Sequence, residues 1–375
     1  MKVVQILPDL NGGGVEKGTL EIADALVKNG DESIVISAGG RMVEQLEAEG
    51  SRHVKWDLGK KSLFTFRHIW ALRRWIAEER PDILHVRSRM PAWVVWLAWK
   101  GLPEATRPRF ITTVHGLYSV SWYSEIMCKG EKVIAVSKTV ERYIRENYPK
   151  TDMSKVELIY RGVDPEEFPY GYKPSQTWLD AWHSEYPQLS GKMVITLPGR
   201  LTRLKGHHDF IDLIKAMKSS HPQVHGLIVG GEDPKRPDYA KELRDRVISE
   251  NLTESITFTG ARKDIRDVFA VSDVVLSLST KPESFGRTVL EALSLGVPVV
   301  GYDHGGVGEI LEALSKQGLC ELKNLDELLK VIQSLPAAGK NIIENQLFLK
   351  SKMTQQTLAL YALMCRTGGR NHGHL

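Results

Sequence analysis

The chain has 375 residues, of which 42% are hydrophobic and 26% are charged. At roughly 150 residues per domain this length predicts two or three domains, and the apolar share is that of a globular protein rather than a disordered or collagen-like chain. Fifty basic and 46 acidic residues leave a net charge of +4. So small an excess argues against a nucleic-acid partner, because nucleic-acid binders usually carry a strong basic surplus.

The cysteines and the apolar runs bear on the compartment. Cys128, Cys320 and Cys365 lie far apart, whereas a disulfide framework or a zinc site needs clustered, paired thiols. The N-terminus has the character of a buried strand rather than a signal peptide. The most apolar stretch, residues 90–99, is about half as long as a membrane span. We therefore expect a cytoplasmic protein that does not cross a membrane.

Short apolar runs alternate with longer amphipathic stretches in the first half of the chain. The amphipathic stretches predict helices at 15–29, 64–79, 92–100 and 138–147. The apolar runs predict strands at 3–7, 33–37, 83–86, 110–114, 133–136 and 156–159. Continuously apolar strands that alternate with helices are typical of a parallel sheet covered on both faces.

The pattern breaks at residues 161–191, where four prolines and scattered aromatic residues show little periodicity. A second cycle of predicted strands follows, at 194–198, 226–230, 256–259, 274–278 and 299–301. The fold class is therefore α/β, with two Rossmann-like, doubly wound parallel-sheet domains facing a central cleft at their carboxyl ends. The predicted domains are 1–170 and 171–343, followed at 344–375 by a helix that packs back towards the N-terminal domain and a frayed tail.

The segment from Glu283 to Glu291 carries the clearest chemical pattern. Gly286 lets a ligand approach the backbone, and the helix that follows offers free N–H groups and a positive dipole end to an anion such as a diphosphate. Glu291, inward on that helix, suits a pair of ribose hydroxyls, and Glu283 suits hydroxyls of a sugar. The alternative is a pair of ordinary exposed glutamates.

Basic residues follow the first predicted strand of the second domain. Arg200 offers a planar fork and Lys205 a point charge, and together they suit a diphosphate. Arg203 lies between them. The alternative is that these are solvated loop cations.

Two features of the first domain follow predicted strands. The glycines at 12–14 let backbone N–H groups approach phosphate or sugar oxygens, but Lys17 stands where a dinucleotide fingerprint needs glycine. His115 comes directly after the strand at 110–114, so its imidazole is expected in the same cleft. The alternative is a structural histidine at a strand end.

Together these pieces resemble the retaining, nucleotide-sugar-dependent glycosyltransferases of the GT-B fold, in the family 4 group. The glutamate pair within its helix is the most specific element. A departure lies at Gly308, where the family usually has proline before the glutamate that is Glu309 here. The motifs that carry the resemblance are the glycine loop at 12–16, His115-Gly116, residues 161–164 with Phe168, Gly199-Arg200, Lys205-Gly206, Thr259-Gly260 and residues 283–298.

The resemblance implies a role for each matching residue. Arg200 and Lys205 would contact the diphosphate, Glu291 the ribose and Glu283 the transferred sugar, while Arg262 would lie where the family holds the base, largely through backbone. Catalytic roles are implied for His115, Arg200, Lys205 and Glu283. Donor binding is implied for Gly13, Gly14, Arg200, Lys205, Arg262, Glu283, Ser284, Phe285, Gly286 and Glu291.

The implied reaction is hexosyl transfer with retention of anomeric configuration. No protein nucleophile stands beside His115 in the sequence, so we expect same-face attack through an oxocarbenium-like state, driven by stabilisation of the departing diphosphate. Both glutamates belong to one strand–helix unit, which suits donor binding better than the flanking carboxyls of a glycosidase. The sequence contains no Asp-x-Asp, so we expect no metal and no cofactor. The co-substrate is a nucleotide sugar, with uridine as the family-level base and guanosine next.

Aromatic and basic residues are mixed at 60–75, which suits an anionic membrane surface or a lipid-linked acceptor. The alternative is that the aromatic residues are core and the charges a solvated face. The residues are Lys60, Lys61, Phe64, Phe66, Arg67, Trp70, Arg73, Arg74 and Trp75.

The segment 87–93 also resembles glycosyltransferases of bacterial lipopolysaccharide assembly. The leading hypothesis is therefore transfer to lipopolysaccharide core or a related cell-surface glycan, by an enzyme peripheral on the cytoplasmic face of the inner membrane. A nucleotide-sugar 2-epimerase and a catalytically silent sugar-nucleotide-binding protein remain alternatives.

Overall fold

The computed structural model describes residues 1–233, 237–335 and 342–367. It divides into two compact units, which we call unit 1 (residues 1–161 with the C-terminal segment from Lys350) and unit 2 (residues 162–349). The frayed tail predicted at the C-terminus lies, from residue 368 onwards, outside the described residues.

The elements follow one another in regular alternation. The strands are β1 (Lys2–Ile6), β2 (Glu32–Ser37), β3 (Arg52–Lys55), β4 (Ile83–Val86), β5 (Arg109–Val114), β6 (Lys132–Ala135), β7 (Val156–Leu158), β8 (Met193–Pro198), β9 (Val224–Val229), β10 (Ile256–Gly260), β11 (Val274–Ser277), β12 (Val299–Tyr302) and β13 (Leu319–Cys320). The helices are α1 (Gly14–Lys28), α2 (Val43–Ala48), α3 (His68–Glu79), α4 (Arg89–Lys100), α5 (Trp122–Glu125), α6 (Lys138–Asn147), α7 (Gln176–Glu185), α8 (His207–Ser220), α9 (Pro237–Ser249), α10 (Ile265–Ala270), α11 (Arg287–Ser294), α12 (Gly305–Leu314), α13 (Leu325–Ser334) and α14 (Lys350–Thr367).

Unit 1 is built on a parallel sheet of seven strands in the order β3-β2-β1-β4-β5-β6-β7. Successive side chains of a strand point to opposite faces, and both faces are covered. Val4 and Leu84 belong to one buried cluster, while Val3 and Ile83 belong to a second cluster that includes residues of α1 and α14. The strands are therefore apolar throughout, as their sequences require.

Unit 2 repeats the plan with six parallel strands in the order β10-β9-β8-β11-β12-β13. Ile195 of β8 pairs with Gly226 of β9 and with Val274 of β11, so β8 lies centrally in the sheet. The structure thus confirms two doubly wound α/β domains. In both sheets the loops after the central strands emerge at the carboxyl edge, where ligands bind in folds of this class.

Several elements and boundaries differ from the sequence predictions. Residues 161–191, predicted to be irregular, contain α7, whose Trp182 is buried within unit 2. The linking segment belongs to unit 2 already from Gly162, rather than from residue 171, because Val163 pairs with Leu349 there and the N–H of Gly171 donates to the carbonyl of Leu295.

The C-terminal helix also begins later than predicted. The side-chain oxygen of Asn345 accepts from the N–H of Phe348 (2.9 Å) and its amide donates to Ser294 Oγ (3.2 Å), which holds this stretch in a turn on unit 2. Helix α14 therefore starts at Lys350 rather than at 344, and Tyr361 on it is fully buried in unit 1. Within the described part of the chain, no helix is both long and apolar enough to cross a membrane.

Candidate active site

The loops that follow β8 and β11 lie side by side at the carboxyl edge of unit 2. Gly206 begins α8 in the left-handed conformation (φ +73°), and a Cβ at this position would lie 2.0 Å from the carbonyl oxygen of Leu278. The N–H of Thr280 donates to the carbonyl of Leu204 at 2.9 Å. Only glycine permits this approach, and the approach places the basic loop beside the glutamate loop.

Lys205 and Glu283 meet at this junction. Lys205 Nζ lies 2.6 Å from Glu283 Oε1, and the Ser279 hydroxyl donates to the same oxygen. Burial alone would raise the pKa of Glu283, but the ammonium of Lys205 and the hydrogen bond from Ser279 outweigh it and hold that pKa below its usual range. Glu283 is therefore an ionised, oriented carboxylate at neutral pH.

The backbone around Glu283 is fixed as well. His304 Nε2 donates to the carbonyl of Ser279 (2.7 Å), and the N–H of Gly306 donates to the carbonyl of Glu283 (2.8 Å). His304 precedes α12, and Ser279 follows β11. These supporting residues were not predicted, although Ser279 comes directly after the predicted strand 274–278 and His304 lies three residues beyond the predicted strand 299–301.

Helix α11 begins at this edge with Gly286 as its cap. Gly286 has φ +102°, and a Cβ there would lie 2.9 Å from Val307 Cγ2. Glu291, on the second turn, is buried and accepts a hydrogen bond from Arg287 Nε at 3.1 Å. The Arg287 guanidinium therefore orients the carboxylate of Glu291, the residue predicted to bind the ribose.

Two other predicted donor residues of this segment differ in exposure. The Phe285 side chain is buried and packs edge-on against Phe348, with ring centroids 5.9 Å apart, so it contributes to the core of unit 2. Ser284 is partly buried at the edge. A donor contact from Phe285 would therefore come from its backbone.

The two predicted arginines of unit 2 are placed very differently. The Arg200 side chain is exposed at the loop after β8. The Arg262 guanidinium instead pairs with Glu185 (3.0 Å) and Asp264 (2.7 Å) and lies over the ring of Trp182. These carboxylates raise the pKa of Arg262 further, and the side chain is committed to packing.

In unit 1 the predicted glycine loop leads into α1. Gly13 caps the helix and Gly14 is its first residue. A Cβ at Gly14 would lie 2.9 Å from Arg161 Nη1, which donates to the Gly14 carbonyl. The buried guanidinium of Arg161 therefore fixes the position of the loop. Arg161 belongs to the motif at 161–164 that carries the resemblance, but the resemblance implied no role for it.

The same arginine binds His115. Arg161 Nη2 donates to His115 Nδ1 at 2.6 Å, and because a guanidinium can only donate, Nδ1 accepts and the neutral ring carries its proton on Nε2. Burial lowers the pKa of His115 well below its usual value, and the charges of Arg161 and Arg87 add to this effect. At neutral pH His115 is an uncharged hydrogen-bond donor.

A buried polar cluster lies behind His115. His85 bonds the hydroxyls of Tyr361 (2.5 Å) and Thr113 (2.6 Å), and Arg87 donates to Gln5 Oε1 (2.6 Å). His85, Arg87 and Thr113 border a cavity of about 20 Å³ that also touches His115 and Arg161, room for a single water molecule. His85 is the second-last residue of β4 and Arg87 directly follows the strand; this position near a strand end is the signal from which both residues could have been predicted.

The predictions about a metal ion and about residue roles concern both units. Among the residues that the structure describes, no three or more His, Cys, Asp or Glu side chains are grouped as metal ligands would be. The structure brings Lys205 and Glu283 into contact. It places Arg200, Gly286 and Glu291 in unit 2, and His115, Gly13 and Gly14 in unit 1. The roles of these residues stay predictions.

Comparison with known families gives a consistent result over both units. Residues 12–167 match the model of Glycosyltransferase Family 4, and residues 180–345 match the model of Glycosyl transferases group 1. Spore coat protein SA of Bacillus subtilis (strain 168) is 25% identical over 320 residues, which are 82% of this chain and 80% of the relative. The lipopolysaccharide core biosynthesis mannosyltransferase LpsB of Rhizobium meliloti (strain 1021) is 26% identical over 200 residues, about half of each chain.

Solved structures extend the similarity to the whole fold. A glycosyltransferase from Rickettsia africae ESF-5 superposes with a TM-score of 0.85 at 28% identity, covering 97% of this chain and 98% of the other. Anabaena HepE, solved in complex with UDP and glucose, gives a TM-score of 0.81 at 22% identity, covering 96% and 99%. The two family models and these structures confirm the resemblance: the chain belongs to the glycosyltransferases of the GT-B fold and family 4 type.

Proposed function

We propose that this glycosyltransferase moves a hexosyl group from a UDP-sugar to a cell-surface glycan, lipopolysaccharide core or a related polysaccharide, with retention of configuration and without a metal ion. The observation that carries the proposal is the ion pair between Lys205 and Glu283, 2.6 Å apart, at the carboxyl edge of unit 2 beside the exposed Arg200. At this edge the carboxylate of Glu283 is placed to bind sugar hydroxyls, and the cations Lys205 and Arg200 are placed to bind a diphosphate.

The proposed chemistry at this edge follows from charge. A departing nucleoside diphosphate gains negative charge as its bond to the sugar breaks, and cations fixed in advance stabilise that charge without reorganisation. Lys205 and Arg200 supply the charge, and the N–H groups at the start of α11 add to it. Glu283 stays ionised and accepts hydrogen bonds from sugar hydroxyls, while Glu291 accepts from the ribose.

The proposed role of His115 follows from its protonation state. A neutral ring with its proton on Nε2 donates a hydrogen bond to the sugar and does not serve as a general base. In the reaction, the bond from the anomeric carbon to the diphosphate oxygen breaks and a bond to the acceptor oxygen forms on the same face. The acceptor's proton passes to the departing diphosphate.

Different relatives support the proposed donor and the proposed acceptor. Anabaena HepE was solved with UDP and with UDP-glucose, which favours uridine as the base in the proposal. LpsB is by its name a lipopolysaccharide core mannosyltransferase, which favours a lipopolysaccharide acceptor. We propose the cytoplasmic face of the inner membrane as the place of the reaction. Both family models describe glycosyltransferases, so the comparisons do not favour the 2-epimerase or the silent-binder alternative.

A thermal-shift screen over nucleotide sugars tests the donor. A ligand that binds only the folded state raises the unfolding temperature with concentration, so UDP-sugars and UDP should do so more than GDP-sugars. The selected donor is then incubated with and without a lipopolysaccharide-core acceptor. Release of UDP with sugar transfer supports the proposal, whereas conversion of the donor to its 2-epimer without acceptor contradicts it.

A further inference from the structure

A cationic surface lies at residues 60–74, between β3 and the middle of α3. Five of these residues are Lys or Arg and none is Asp or Glu. The stretch therefore carries +5, whereas the whole chain carries +4, so the rest of the chain is slightly acidic. The positive charge of this protein is concentrated here.

The same surface exposes large apolar side chains. Leu63 and Phe64 are 85% and 80% exposed, which makes them the two most exposed large hydrophobic side chains of the described residues. They are consecutive in a 3-10 turn (Leu63–Arg67), and Trp70 on the first turn of α3 is 73% exposed. Exposed apolar residues grouped in this way mark an interaction site rather than a random surface.

The turn is anchored so that these side chains point outward. Thr65 is buried and its hydroxyl donates to the Lys60 carbonyl at 2.7 Å, and Ser62 Oγ accepts from the N–H of Phe64. Phe66 and Trp75 pack against the core of unit 1. Of the four aromatic residues predicted here, two are therefore core and two are surface.

A surface pocket of about 370 Å³ opens beside the turn. Lys60 and Arg67 line it together with His68, and Asp57 is the acidic residue in the lining. His68 Nδ1 accepts from Trp56 Nε1 at 3.1 Å, so the neutral imidazole carries its proton on Nε2. Two cations and a neutral N–H donor are the groups that bind a phosphate.

We propose that residues 60–74 dock the protein on an anionic bilayer. Leu63, Phe64 and Trp70 enter the headgroup region, and the pocket of Lys60, Arg67 and His68 binds the phosphate of one anionic phospholipid. Apolar residues flanked by cations bind such surfaces through burial and attraction to anionic lipid together. The inference rests on the proposed function, because a lipid-linked glycan acceptor is presented at a membrane.

The composition favours a bilayer over an acidic protein partner. The cores of protein–protein interfaces are depleted of charged residues, lysine included, whereas here Lys60 and Lys61 are separated from the apolar turn only by Ser62. Long cationic side chains beside apolar ones suit a headgroup layer, where the stem lies along apolar surface and the charge stays in water.

Sedimentation of the full chain with lipid vesicles tests the docking. We expect binding to vesicles of phosphatidylcholine mixed with phosphatidylglycerol, little binding to phosphatidylcholine alone, and weaker binding as salt rises. Replacing Leu63→Ser together with Phe64→Ser should weaken binding roughly tenfold or more. Ile248→Ser, at a 61% exposed apolar position of α9, should leave binding unchanged.

A second pair of variants tests the phosphate pocket. Lys60→Gln with Arg67→Gln and Lys61→Gln with Arg74→Gln each remove two cations from the same surface, but only the first pair lines the pocket. Loss of diffuse attraction weakens both to a similar degree, by roughly fivefold per charge, and we expect a clearly larger loss for the first pair. Equal losses would overturn the phosphate site.

Two further outcomes keep this inference separate from the proposed enzyme activity. Failure of the wild-type protein to bind anionic vesicles, or equal binding to the soluble polyanion dextran sulfate, would overturn the docking even if UDP-sugar is turned over. Binding to anionic vesicles without any sugar transfer would support the docking and contradict the proposed function. UDP binding measured without vesicles should be the same for all four variant proteins as for the wild type.

Discussion

The carboxyl edges of the two sheets differ in how far their charged side chains are exposed. In unit 2, the Lys205–Glu283 pair is only partly buried, with 31% and 23% of the side chains exposed, and Arg200 is exposed. In unit 1, the guanidinium groups of Arg87 and Arg161 are buried. The same doubly wound plan therefore produces one edge with accessible charges and another with charges held inside.

The difference has a physical consequence for each edge. A partly exposed ion pair is weak in water and can exchange partners when a dianion arrives, which suits the leaving group of the proposed donor. Buried guanidinium groups are costly unless hydrogen-bonded; here they bind Gln5 and the Gly14 carbonyl. Burial of the imidazole, together with their charge, keeps His115 neutral. We therefore expect unit 2 to govern leaving-group stabilisation and unit 1 to govern the hydrogen bond to the sugar.

The largest effect is expected at Lys205. Lys205→Ala removes a fixed cation from the diphosphate and should lower kcat/KM for the UDP-sugar by roughly 10²–10³-fold, the cost of losing one preorganised stabilising group. Lys205→Arg retains the charge and should lose less. The matched control is Arg203→Ala, because Arg203 lies two residues away but pairs with Glu242. Equal kcat/KM for Lys205→Ala and Arg203→Ala would contradict the proposed role.

His115→Ala should lower kcat by roughly a hundredfold. Most of the predicted UDP contacts belong to unit 2, and His115 is not one of them, so the Kd for UDP, measured by calorimetry, should stay close to that of the wild type. Because the pKa of His115 lies well below 6.5, its neutral form persists at and below that pH. Turnover should therefore not fall through this group between about pH 8 and pH 6.5.

The control for His115 is His183→Ala, on the exposed face of α7. A normal kcat in His115→Ala would return this residue to a structural role. The kcat of the wild type could instead change with pH around a pKa near 6.5, and this pH dependence could be lost in His115→Ala. That result would contradict the neutral state of His115 derived from the Arg161 contact.

A smaller effect, on binding, separates the two glutamates of unit 2. Glu291→Ala should weaken UDP and the intact UDP-sugar alike by about tenfold or more, because a hydrogen bond to a charged group contributes about 1.5–3 kcal/mol and both ligands carry the ribose. Glu283→Ala should weaken only the intact donor. Calorimetry with both ligands checks this, with Glu312→Ala on the exposed face of α12 as the control. Equal losses on both ligands in Glu283→Ala would refute the division.

Local sequence patterns were sufficient for most of the fold but missed particular elements for identifiable reasons. Helix α6 has the predicted bounds, because its apolar residues keep the helical period. Strand β3 was missed because Val54 is its one strongly apolar residue and it pairs at the sheet edge with β2. Helix α7 was hidden among prolines, although Trp178 and Trp182 stack four residues apart, with centroids at 5.0 Å, and Ser175 caps it.

The site could be predicted as residues but not as contacts. Lys205 and Glu283 are 78 positions apart, and His115 and Arg161 are 46 apart. In the α/β plan, residues that follow a parallel strand lie at the carboxyl edge of the sheet. The strand-end positions of these residues therefore predicted that their side chains reach the carboxyl edges. Which cation meets which carboxylate depends on loop packing, such as the approach of Gly206 to Leu278, and no local pattern encodes it.

The smallest expected effect is that of a chelator. The cations that the proposal gives to the diphosphate are Arg200 and Lys205, and the start of α11 adds oriented N–H groups, so the positive field that a divalent ion provides elsewhere is covalently part of the chain. Sugar transfer should therefore be unchanged in excess EDTA. The unfolding temperature, measured in the same buffer, separates catalysis from any structural ion. Activity that is lost on chelation at an unchanged unfolding temperature, and restored by magnesium or manganese, would show that these side chains do not suffice for the leaving group.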